Sequence, residues 1–107
     1  MFRGTTPTIT FEVDKEFELT ELKQVWVTIE NKFHEKTYDI TEVTLDADEN
    51  TISVRMTQED TLAFKLDNRL IDQCYAQIRF LKEDGNAYAS DEVKLELKRI
   101  LKEGVIE

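Results

Sequence analysis

Cys74-Tyr75-Ala76-Gln77-Ile78-Arg79-Phe80 sets an apolar side chain at every second position, and after Leu81-Lys82-Glu83 the chain reads Asp84-Gly85-Asn86. Period two is what a strand with one buried face requires, so Cys74, Ala76, Ile78 and Phe80 are expected to share a core face. Glycine and asparagine accept positive φ, and a hairpin is expected to reverse at Asp84-Gly85-Asn86. The return segment reads two ways. Val93, Leu95 and Leu97 fit a strand, whereas Val93, Leu97, Ile100 and Leu101 fit a helix rich in Lys and Glu. A strand to about Arg99 is expected, because the hairpin needs a partner.

Upstream, Ile9, Phe11 and Val13 alternate with polar residues in the same way and should point inward. Gly4-Thr5-Thr6-Pro7 before them should be extended, since proline disfavours helix at its predecessor and donates no backbone hydrogen bond. That describes an arm, residues 1–7, leading into an edge strand. After the Asp14-Lys15-Glu16 turn, Val25, Val27, Ile29 and then Phe33 line one face of a second long strand. Trp26 falls on the opposite face, where it either covers a flank of the domain or anchors an interface. Thr37 to Thr44, with Tyr38, Ile40, Val43 and Leu45, is expected to pair as a hairpin with Ile52, Val54 and Met56 across Asp46-Ala47-Asp48-Glu49-Asn50. Thr57-Gln58-Glu59-Asp60 offers a threonine cap with an acid three residues on, so one short helical connection should begin there. About seven short strands and no alternation with long helices predict an all-β protein, an antiparallel immunoglobulin-like β-sandwich.

Length and composition bound the rest. The 107 residues are expected to form one domain, residues 1–107, and 40% hydrophobic with 35% charged residues suits a folded chain with a real core. Fourteen basic against twenty-three acidic residues leave a net charge of −9, which repels phosphate backbones and anionic lipid. Basic residues alternate with acidic ones, as in Asp14-Lys15-Glu16 and Lys94-Leu95-Glu96, so neither nucleic acid nor a membrane surface is an expected partner. No apolar run approaches the roughly 20 residues of a spanning helix. The single cysteine cannot form an internal disulfide, so any likeness to antibody domains is one of layout. The amino terminus lacks the layout of a secretory leader, and synthesis in the cytoplasm is expected.

Chemistry is poorly supplied. His34 sits in the charged stretch Lys32-Phe33-His34-Glu35-Lys36 and reads as a solvated residue, while Cys74 lies on an apolar face and reads as core, so the two do not suggest a catalytic pair. Asp46, Asp48 and Asn50 reproduce the opening of a calcium loop, but Thr51 stands where that loop needs glycine and Thr57 where it needs glutamate. Gly4, Gly85 and Gly104 are too scattered for a phosphate cradle. No catalytic residue, metal site or cofactor is expected, and a small hydrolase with paired carboxylates is the weakest of the functional classes.

Arg3-Gly4-Thr5-Thr6-Pro7-Thr8, the central Met56-Thr57-Gln58-Glu59-Asp60-Thr61-Leu62-Ala63-Phe64, Ala89-Ser90-Asp91 and the closing Arg99-Ile100-Leu101-Lys102-Glu103-Gly104-Val105-Ile106 resemble, in order and spacing, a family of small proteins of phages and prophages of Gram-positive bacteria. The resemblance implies a non-catalytic virion component of the tail or baseplate, made in the host cytoplasm and assembled into the virion. Its partners would be other virion proteins or itself, as a homo-oligomer. The central motif explains itself as a strand end, a cap and a turn, so the arm is the better interface candidate: Arg3, Thr5, Thr6, Pro7 and Thr8, with Trp26 beside them. The alternative is an accessory module that holds a carbohydrate or peptide in end loops, with Trp26, Tyr38, Tyr75 or Tyr88 as stacking platforms.

Because the acidic turn lacks the glycine and the terminal carboxylate of a calcium loop, excess chelator should leave the thermal midpoint unchanged by circular dichroism. A fall of many degrees would make the turn a metal site.

Overall fold

Among the residues that the computed structural model describes, 1–66 and 71–107, the alternating stretches become strands: β1 (Thr8–Glu12), β2 (Leu22–Glu30), β3 (Glu35–Tyr38), β4 (Thr44–Asp46), β5 (Thr51–Arg55), β6 (Ile71–Lys82), β7 (Ala87–Ala89) and β8 (Val93–Lys98). One short helix, α1 (Gln58–Ala63), and a 3-10 turn at Leu19–Glu21 complete the elements. The protein is mostly β, built of two antiparallel sheets. One has three strands in the order β1-β5-β4; the other has five, β3-β2-β6-β7, with β8 also on β6. No described helix is long and apolar enough to cross a membrane.

The larger sheet is organised by the β2–β6 ladder. Val25 lies opposite Phe80, Val27 opposite Ile78 and Ile29 opposite Ala76, so the apolar sets of both strands fall on one face. In the smaller sheet Ile9 meets Val54 and Phe11 meets Ile52. These residues, Ile9 only partly buried, pack with Met56, Phe64, Cys74 and Leu97 in one cluster fed by both sheets. Burying each large aliphatic side chain contributes about 1.5–3 kcal/mol.

The return segment is a strand, broken once. Arg79 faces Ala89, which in an even ladder would set Ala76 opposite Glu92, yet Ala76 faces Val93. The extra residue is absorbed at Ser90, whose hydroxyl accepts from the Ile78 N–H at 3.1 Å and donates to the Asp91 carbonyl at 3.0 Å. This β-bulge separates β7 from β8.

Four expectations need correction. Phe33 does not continue β2. The Asn31 carboxamide oxygen accepts from the N–H groups of Phe33 and His34 at 2.9 and 3.0 Å, turning the chain so that Phe33 sits exposed at a hairpin tip. The stretch from Thr37 to Thr44 is not one strand of a hairpin either. β3 pairs with β2, and only β4 pairs with β5, because Asp39 takes the Thr41 N–H and hydroxyl on its carboxylate and ends the strand. His34, read as solvated, is half-buried, with its ring edge-on to Phe64 at 4.9 Å.

The arm is the largest departure. Arg3 is buried, with its Nε donating to the Phe64 carbonyl at 2.7 Å, Nη2 to the Leu62 carbonyl at 2.8 Å and Nη1 to Glu103. Those carbonyls close the end of α1, so the guanidinium caps groups the helix cannot satisfy itself. The Arg3 N–H donates to the Lys98 carbonyl, Met56 N–H to Pro7 and the Thr61 hydroxyl to Thr5. Gly4 has φ +72°, a backbone conformation that favours glycine, and a Cβ there would lie 3.0 Å from Ile100 Cδ1, close enough that the isoleucine side chain would have to shift. The opening, central and closing motifs therefore meet around one side chain, and the opening motif has the structural explanation that its sequence did not offer.

The capping box is formed: Asp60 N–H donates to Thr57 Oγ1 and Thr57 N–H to Asp60 Oδ2, each at 3.1 Å. The buried Tyr38 hydroxyl donates to the same carboxylate at 2.8 Å. Burial pushes the Asp60 carboxyl up, but the Thr57 N–H, the Tyr38 hydroxyl and the Lys36 charge outweigh it and hold the group below its ordinary value.

Two outcomes follow. Arg3→Met leaves two carbonyls without donors, at about 1–3 kcal/mol each, and should lower the thermal midpoint by on the order of 10 °C; deletion of residues 1–7 should do at least as much. A midpoint equal to wild type would return the arm to the role of a free appendage. Since the folded Asp60 value is depressed, its stabilisation is present above the unfolded carboxylate value near 4 and is lost as pH falls through the folded one. The stability gap between wild type and Asp60→Asn in urea melts should thus be widest near neutrality and close below about pH 4; a gap constant with pH would contradict this.

Candidate docking face

The period that buries Val25, Val27 and Ile29 turns Trp26, Thr28 and Glu30 outward, and on β6 it turns out Tyr75, Gln77, Arg79 and Leu81. The register assembles these into cross-strand rows. Trp26 faces Arg79, which faces Ala89; Thr28 lies between Thr37 and Gln77; Glu30 lies between Glu35 and Tyr75. Trp26 is 47% exposed, and the Arg79 guanidinium carbon sits 5.5 Å from its ring centroid, a cation–π pair that holds both side chains over the sheet.

Two shallow concavities share Arg79. One, of about 190 Å³, is lined by Gln24, Trp26, Leu81, Ala87 and Tyr88. The other, of about 220 Å³, is lined by Glu30, Glu35, Glu92, Tyr75 and Gln77. One end of the face is thus apolar and aromatic and the other acidic.

The interface candidates divide between two places. Trp26 is on this face, at its apolar end. Arg3, an interface candidate by sequence, is buried and bonded inside the chain, and Pro7 is half-buried. Thr5, Thr6 and Thr8 are exposed, with Thr8 opposite Arg55 at the start of β1 and Thr6 bordering a groove with Thr57, Gln58 and Val105. Lys98, on which the arm docks, is opposite Ile71, eight residues along β6 from Arg79 and hence roughly 26 Å away. Of the proposed stacking platforms, Tyr38 is buried, and Tyr88 packs on Phe17 at 4.7 Å and Phe80 at 5.4 Å. Tyr75 is half-buried on the outward face.

Arg79 and the three glutamates were not singled out from sequence. The alternation marks Arg79 as outward, but only the register sets it beside Trp26. Burial, then the Asp72 charge, pushes the Cys74 thiol up to about 11, so it is protonated at neutral pH and a poor nucleophile. Among the described residues no group of three His, Cys, Asp or Glu side chains could hold a metal ion. Comparison of the chain with family models, with curated proteins and with solved structures gave no match.

Proposed function

We propose that this chain is a non-catalytic assembly module of immunoglobulin-like layout that joins another protein through the outward face of its five-stranded sheet. The strand order supports the layout. Taking β1, β5 and β4 as B, E and D, and β3, β2, β6 and β7/β8 as C′, C, F and G, reproduces the neighbours of an immunoglobulin-type sandwich, in chain order. The short helix then falls in the E–F connection.

The observation that carries the docking role is Trp26 paired with Arg79 on an uncovered face, since tryptophan and arginine dominate interface hot spots. The setting proposed is the tail or baseplate of a phage or prophage particle, made in the host cytoplasm. Its support is the resemblance of motifs that meet around Arg3, which gives them a shared reason to recur together. The end-loop module is the weaker reading: exposed Phe33 follows the Glu30 end of β2, while Tyr88 neighbours Phe80 opposite Val25, so the exposed aromatics sit at opposite ends of the sheet.

Trp26→Ala should leave the thermal midpoint close to wild type, because the ring fills no core space, and should remove the protein from assembled particles separated by sedimentation and quantified by mass spectrometry. Incorporation at the wild-type level would exclude this face as the docking surface.

A further inference from the structure

We infer that the occupant of this face is an extended segment of a different protein that places an apolar side chain over Trp26 and a basic side chain over Glu30, Glu35 and Glu92. The inference rests on the docking role proposed above and concerns the chemistry of the partner. Glu30 and Glu35 are direct cross-strand neighbours, and like charges so placed destabilise a sheet. Glu92, at the β-bulge, adds a third carboxylate to the same concavity. Among the described residues none of the three has an ion-pair partner, and Arg79, which reaches that concavity, is drawn over the Trp26 ring instead. A guanidinium or ammonium from outside would relieve the repulsion, and arginine could bridge two carboxylates.

A second copy is disfavoured. The chain carries −9, and face-to-face pairing would oppose acidic surfaces. Spacing narrows the partner further: Trp26 and Glu30 are four residues apart along β2, about 13 Å, which an extended segment spans between same-side residues i and i+4.

Trp26 is the single tryptophan, so its fluorescence reports the site directly. The probes are three synthetic Ser/Thr-based peptides: one with Leu and Arg four residues apart, one with Arg replaced by Glu, and one with Leu replaced by Ser. Saturable change is expected with the Leu/Arg peptide, weakened about tenfold or more with either replacement, with Glu30→Gln/Glu35→Gln/Glu92→Gln, or near 1 M salt, where the Debye length is about 3 Å. The triple variant should melt no lower than wild type, which separates lost binding from lost folding. Equal binding of the Glu peptide, no change with any peptide, or a dimer that buries Trp26 in light scattering and fluorescence would each overturn the inference. Particles that lose Trp26→Ala but incorporate the triple variant normally would keep the docking face and remove its basic occupant. Normal incorporation of Trp26→Ala would remove the face itself.

Discussion

The pairing register of β2 with β6 is the constraint on which the rest of the molecule depends. It sets Val25, Val27 and Ile29 against Phe80, Ile78 and Ala76 on the inside and Trp26 against Arg79 on the outside. Side chains alternate between faces, so a slip of one residue would drive Trp26 and Glu30 toward the core and expose three fully buried aliphatics. Core and outward face are two readings of the same ladder, and neither can change without the other.

The second organising feature is the buried Arg3 guanidinium. A buried cation is tolerated when it is paired and hydrogen-bonded, and here each of the three guanidinium nitrogens donates, two to helix-end carbonyls and one to a carboxylate. The side chain ties the amino-terminal segment, α1 and the carboxy-terminal segment into one junction. Gly4 lets the segment turn under Ile100, and the Gln58 carboxamide both donates to and accepts from the backbone of Ile106. This junction closes the Lys98 end of the β8 edge, where Phe2 forms a parallel bridge and unpaired strand groups would otherwise invite association.

The outward face contributes little to local stability. The Trp26–Arg79 pair contributes on the order of 0.5–1 kcal/mol where exposed, and Glu30 opposite Glu35 opposes folding rather than aiding it. The fold carries both because its stability comes from the opposite face of the same strands, leaving the outer positions free to be chosen for charge and shape.

The sequence by itself determined the inward face of most strands, since period two is local: Ile9, Phe11, Ile52, Val54, Cys74, Ala76, Ile78 and Leu97 all point as their alternation requires, whereas Phe33 and the Thr37 to Thr44 stretch do not follow it. It also determined the capping box at Thr57 and the reversal at Gly85, whose signals lie within four residues. It did not determine that Tyr38 and Leu45 belong to different sheets, because the turn that parts them depends on how the Asp39 side chain is used. Nor could it reveal Arg3, whose partners are 59, 61 and 100 residues away. Only the tertiary structure decided that Arg79 stands over Trp26 and that Glu30, Glu35 and Glu92 share one concavity. Alternation sets the face of each residue within its own strand, whereas its neighbours across the sheet are set by register, and register is a property of the whole folded chain.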